Sequence, residues 1–186
     1  MHAIPVLLTS LRLTLAPVVV ALACWQPLPA AFVAILVIGL LSDIFDGVIA
    51  RRLGIATPAL RTYDSLTDVA FYAAVLIATC VLHGHAVADA APPLALFLAT
   101  EVACNVVSLA RFGALPATHS YGAKGLGLVF FIGFALILGW GLTSPTFLIM
   151  MLAGVAVNAE ILLILVLAHT RPVDVKSVFH LQRRQW

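Results

Sequence analysis

Four aspartates carry the chemistry open to this chain. Asp43 and Asp46 stand three residues apart, Asp64 and Asp68 four apart, and a short segment separates the pairs. At roughly 100° per helical residue, Asp43, Asp46, Gly47 and Ala50 fall near about 0°, −60°, +40° and −20°, one face with a carboxylate on each turn and very small residues between. Asp64 and Asp68 share a face within about 40°. Carboxylates facing one another across a helix pair repel, and a divalent cation relieves that repulsion. Hard oxygen donors suit Mg²⁺ or Mn²⁺. Intramembrane acids also mark ion and proton pathways, but these four sit at one level rather than along a path.

The elements that must position them are dictated by composition. Of 186 residues, 63% are hydrophobic and only 10% are Asp, Glu, Lys or Arg. Soluble domains run at about 25% charged, and disordered chains are poor in apolar residues, so both classes are excluded. A spanning helix needs roughly 20 apolar residues, and six such runs can be read: Ile4–Cys24, Ala30–Ala50, Thr62–Leu82, Pro92–Arg111, Lys124–Trp140 and Pro145–His169. The runs are continuous rather than alternating, which excludes a membrane β-barrel. The expected fold is an all-α integral membrane protein with six transmembrane helices, residues 1–186 forming a single domain with a basic tail from about residue 171.

Orientation follows from the basic residues. Apart from Arg12, they fall at Arg51, Arg52 and Arg61, at Arg111 and Lys124, and at Arg171, Lys176, Arg183 and Arg184. With six spans these segments share one side, and the connections on the other side contain no Lys or Arg. By the positive-inside rule both termini and both basic loops are cytoplasmic, which places the acids at the cytoplasmic face of a multi-pass protein of the cytoplasmic (inner) membrane. The first span has no basic n-region and is interrupted by Arg12, unlike a cleaved signal peptide. Cys24, Cys80 and Cys104 sit singly in apolar runs and are expected to be inert, buried thiols.

The run Asp43-Ile-Phe-Asp46-Gly47-Val-Ile-Ala50-Arg51, followed later by Asp64-Ser-Leu-Thr-Asp68, resembles the signature of the CDP-alcohol phosphatidyltransferase family, D-x2-D-G-x2-A-R-x8-G-x3-D-x3-D. Seven of eight fixed positions match across 26 residues, and Leu60 replaces the second glycine. The resemblance implies metal-dependent transfer of a phosphatidyl or similar phosphoalcohol group from a CDP-alcohol such as CDP-diacylglycerol to a small hydroxyl acceptor, releasing CMP in phospholipid biosynthesis. It implies Asp43, Asp46 and Asp64 as holders of two Mg²⁺ or Mn²⁺ ions, with Asp68 close enough to share one and acting as general base. Gly47 and Ala50 would admit the CDP moiety close to the backbone, and Arg51 would fork onto phosphate. A homodimer among membrane lipids, without nucleic acid, is also implied. Leucine at position 60 excludes a positive φ that glycine would permit.

The acceptor is less sharply drawn. Arg61, Arg111 and Lys124 are candidate acceptor-binding residues, and the run from Arg111 to Lys124, with His119 and Tyr121, is similar to that region of phosphatidylglycerophosphate synthases. A phosphorylated acceptor such as glycerol 3-phosphate fits, although Val69 follows Asp68 where those enzymes usually carry Lys. Inositol phosphate, serine or another alcohol stays open, as does the purely topological role of these charges. A divalent-cation transporter or channel, and a noncatalytic scaffold, are the readings from other classes. Arg12 either snorkels to the interface or reaches the cavity. Glu101 and Glu160 are expected to pair with residues such as Asn105 or Asn158, Pro17 to kink the first span, His83, His85 and Asp89 to occupy a solvated outer loop, and the tail from Arg171 to lie at the lipid interface.

The topology can be tested in a cysteine-free background. Gln26→Cys should react with an impermeant maleimide on intact cells, and Leu53→Cys only after permeabilisation. The opposite pattern would invert the orientation.

Overall fold

The computed structural model describes residues 3–55, 57–118, 120–173 and 175–181. Six long helices account for most of them: α1 (Ala3–Trp25), α2 (Pro29–Arg52), α3 (Pro58–Asp89), α4 (Ala91–Phe112), α5 (Tyr121–Trp140) and α6 (Ser144–Leu167). All six are long and apolar enough to cross a membrane. A short α7 (Val178–Leu181) follows, and the only strand-like pairing among the described residues is an isolated parallel bridge between Ala117 and Val173.

The helix ends lie close to the apolar runs, with one clear correction. α3 breaks at the non-helical His83 (φ −132°, ψ 40°), directly after the expected end at Leu82, and a second helical piece runs on to Asp89. His83 is therefore the break itself, and His85 and Asp89 lie in the helical piece beyond it rather than in a loop. Ala86, Val87 and Ala88 extend it readily, and the next proline is at position 92. Pro17 is accommodated inside α1.

The chain forms two compact groupings. The first comprises Met1–His85 and Phe134–Thr143, and α1 packs on α2 within it. The buried positions of α2 are Phe32, Ile35, Leu36, Gly39, Ser42, Asp46 and Ala50, one stripe at spacings of three and four. Ile38, Leu41, Ile44 and Phe45 lie outward, as apolar residues facing lipid do. Close approach between helices depends on small residues, because lipid provides no hydrophobic drive for association. At Gly39 an added Cβ would stand 2.9 Å from the Phe71 ring. The Tyr72 ring stacks on Phe134 of α5 with centroids 6.2 Å apart.

α2 is closed by a Schellman arrangement. Gly54 adopts φ 67°, its N–H donates to the Arg51 carbonyl at 3.2 Å, and the Ile55 N–H donates to Ala50 at 3.0 Å. α3 starts after Thr57, whose hydroxyl accepts the Leu60 N–H at 3.2 Å. Leu60 thus sits in the first helical turn, where no positive φ is required and a side chain is tolerated.

The second grouping comprises Ala86–Gly133 and Ser144–Trp186. Here α4 packs on α6, and α6 on α7. Phe97 meets Phe130 edge-on at 5.5 Å and covers Gly154, while Met150 covers Gly133. Buried Asn158 donates to Thr100 Oγ1 at 3.1 Å, and the Cys104 thiol donates to the Asn158 carbonyl at 3.4 Å. Asn105 donates to the Glu101 carbonyl at 2.9 Å and reaches its carboxylate at 3.4 Å, in line with the pairing expected of Glu101. Glu160 lies against Gly122 of α5. Cys104 is buried, but Cys24 and Cys80 are exposed rather than buried, because each lies on an outward helix face.

The described part of the tail is tied to the connection between α4 and α5. The Tyr121 N–H donates to the Lys176 carbonyl at 3.1 Å, and Arg171 donates to the Leu115 carbonyl at 3.2 Å. Ile164, Ala168 and Leu181 form a small core flanked by Phe112, Val175 and Val178. Arg183, Arg184 and the rest of residues 182–186 lie outside the described residues, as do residues 1–2.

Two substitutions test this packing. Gly39→Val should cost about 1–3 kcal/mol by overpacking against Phe71, and Gly54→Ala about 1–2 kcal/mol by forcing a side chain into the left-handed region. Both should lower the unfolding temperature in detergent, and unchanged melting would contradict the respective contact.

Candidate functional site

α2 carries Asp43 and Asp46, α3 carries Asp64 and Asp68, and a residue of α1 binds all four. Arg12 Nη1 donates to Asp43 Oδ1 at 3.2 Å and to Asp68 Oδ1. Its Nη2 donates to Asp46 Oδ2 at 2.6 Å and to Asp64 Oδ1 at 2.5 Å. Arg12 is 1% exposed. It therefore does not snorkel to the interface. It lies at the centre of the acids, where its fork of donors suits several carboxylates at once.

The four acids are not equivalent. Asp46 is 4% exposed and faces α1. There its Oδ2 also lies 2.8 Å from the Thr9 hydroxyl. The Pro5 carbonyl, 2.9 Å from the same hydroxyl, competes for its proton, and the charged oxygen is the stronger acceptor. Asp43, Asp64 and Asp68 are only partly buried, and each offers an oxygen within 4.8 Å of the other two. That spacing lets the three carboxylates turn toward one divalent cation. The donor set is all hard oxygen, and the residues fit a divalent metal.

Thr9 was not singled out by the sequence, although it precedes Arg12 by three residues and shares its helix face. Tyr63 was missed too. Its hydroxyl lies 2.8 Å from Ser10 Oγ, a second polar tie between α1 and α3 one residue before Asp64.

The remaining candidates are placed as follows. Gly47 leaves room for the Arg51 guanidinium: an added Cβ would stand 3.3 Å from Arg51 Nη1. Arg51 is exposed at the end of α2, whereas Ala50 is buried on its packed face. The Arg61 side chain and His119 lie outside the described residues. Arg111 donates to the Leu165 carbonyl and, at 2.6 Å, to the Val166 carbonyl, so two of its contacts cap the end of α6. Lys124 is exposed in the first turn of α5.

Chemically, three converging and partly exposed carboxylates, Asp43, Asp64 and Asp68, with Arg51 exposed at the end of α2, can take a divalent cation and an anion that accompanies it. No curated protein and no solved structure gives a significant match to the chain. A family model described as CDP-alcohol phosphatidyltransferase matches residues 2–172, which includes every helix that builds the site. The chain accordingly belongs to the CDP-alcohol phosphatidyltransferase family, enzymes that transfer substituted phosphate groups.

Proposed function

We propose that this enzyme transfers a phosphatidyl group from CDP-diacylglycerol to a small hydroxyl acceptor at the cytoplasmic face of the inner membrane, releasing CMP, and that it works as a homodimer. The observation that carries the metal-dependent reading is the convergence of Asp43, Asp64 and Asp68 oxygens within 4.8 Å of one another. Asp43, Asp46, Asp64 and Asp68 would hold Mg²⁺ or Mn²⁺, a first ion on Asp43, Asp64 and Asp68 and a second only where Asp46 also releases Arg12. The metal would offset charge on the pyrophosphate and on departing CMP. Gly47, with no side chain, leaves the α2 backbone approachable, and Ala50 adds little bulk beside it. Arg51, at the exposed end of the helix, would donate to a CDP phosphate. Asp68, one turn beyond Asp64, would accept the acceptor's hydroxyl proton and orient its oxygen for attack.

Glycerol 3-phosphate is the acceptor favoured by the basic set Arg61, Arg111 and Lys124. Arg111 has two donor contacts committed to α6 carbonyls, so in this reading its own share of the phosphate recognition is smaller. Inositol phosphate and serine are the competing acceptors.

CMP release should require a divalent cation, stopping in EDTA and returning with Mg²⁺ or Mn²⁺. Asp68→Asn should lower turnover by at least about 100-fold, the lower end of a general base's contribution, while the protein stays folded by thermal melting. Normal turnover would remove Asp68 from the role of base. A panel of acceptors supplied with CDP-diacylglycerol identifies the second substrate by which one releases CMP. Cation flux into vesicles without any CMP release would overturn the transferase reading for a transport one.

A further inference from the structure

The guanidinium of Arg12 stands where a cation is wanted. Three of its four carboxylate partners, Asp43, Asp64 and Asp68, are the residues whose oxygens converge closely enough to hold a metal. Its fourth partner, Asp46, lies outside that trio, is almost fully buried and is tied to α1 through Thr9. The arm therefore has one anchored contact and three at the open side. One further feature is independent of the acids: Arg12 Nε, also buried, has no hydrogen-bond partner among the described residues. Buried guanidinium donors are normally all satisfied, so this pose leaves one of its bonds unmade. A dication and a guanidinium a few ångströms apart repel strongly in a poorly screened site.

We propose that Arg12 is the resident counter-ion of the carboxylates, and that a divalent cation enters by displacing its guanidinium from Asp43, Asp64 and Asp68 while Asp46, itself held by Thr9, retains the arm. This rests on the metal-dependent reading above. Arg12 is thus a positioning residue: it holds the four acids together while no metal is bound, and it sets the concentration of metal needed to load the site. Removing its charge exposes unneutralised carboxylates, which weakens the metal-free fold and strengthens metal binding. A purely structural arginine has the opposite signature, since its loss would scatter the ligands and weaken binding.

The test is Mn²⁺ titration of the full detergent-solubilised chain, followed by electron paramagnetic resonance, with thermal melting in EDTA and in excess Mn²⁺. Arg12→Gln should bind Mn²⁺ at least about tenfold more tightly than the unaltered protein. It should melt lower in EDTA and gain more from added Mn²⁺. Unchanged or weaker Mn²⁺ binding by a folded Arg12→Gln variant overturns the proposal. If that variant does not fold, the unaltered protein decides the matter through its ¹⁵N arginine side-chain signals, with the Arg12 resonance assigned by its loss in Arg12→Lys. That resonance should shift on saturation with Mg²⁺, and a resonance unmoved while the metal binds overturns displacement. Failure of the unaltered protein to bind Mn²⁺ at all is a separate result, which removes the metal-dependent reading itself.

Discussion

One guanidinium among four carboxylates is the constraint on which the rest of this structure depends. Each acid on α2 and α3 would be costly in an apolar helix pair, by roughly 2.5–3.5 kcal/mol near mid-membrane on insertion scales. Arg12 meets all four from α1. Three helices are thereby tied at one depth by charge. A buried ion network of this kind is weak evidence for net stability, since desolvation offsets much of the attraction, but it is severe toward loss of one partner. It defines which rotation of each helix is tolerated.

The apolar packing then reads as the means of bringing those charges to bonding distance. Gly39 lets Phe71 of α3 lie against the α2 backbone. The Schellman closure at Gly54 and the Thr57 cap set the turn between the two acid-bearing helices. In the second grouping the same logic uses neutral groups. Asn158, Thr100 and Cys104 form a chain of hydrogen bonds between α4 and α6, with no ion pair required.

Much of this was legible in the residues because the bilayer simplifies them. Runs of apolar residues of spanning length leave little choice of element, and the Asp43-to-Asp68 spacing puts the acids on facing helix surfaces. What could not be read was the partner across space. Arg12 stands 31 residues before Asp43, and a lone arginine two turns into a span fits snorkelling as well as burial. Thr9 looked like an ordinary small polar residue. The break at His83 falls where the apolar run ends, but the helical piece beyond it was not legible, because His83-Gly84-His85 resembles a loop while the Ala-Val sequence after it sustains a helix. The tail's return onto the α4–α5 connection depends on backbone hydrogen bonds and a few side chains, which leave no periodic trace.

The turn at Gly54 and the early position of Arg12 together bear on biogenesis. Chains are made from the N-terminus, so the cation of α1 is already in place when the acid-bearing hairpin of α2 and α3 emerges. The counter-charge precedes the charges it must accompany into lipid. The acids, less than thirty residues apart in the chain, then follow as one local unit. Chain order thus spares the nascent protein a stage in which four carboxylates must partition into the bilayer with no cation of its own already made.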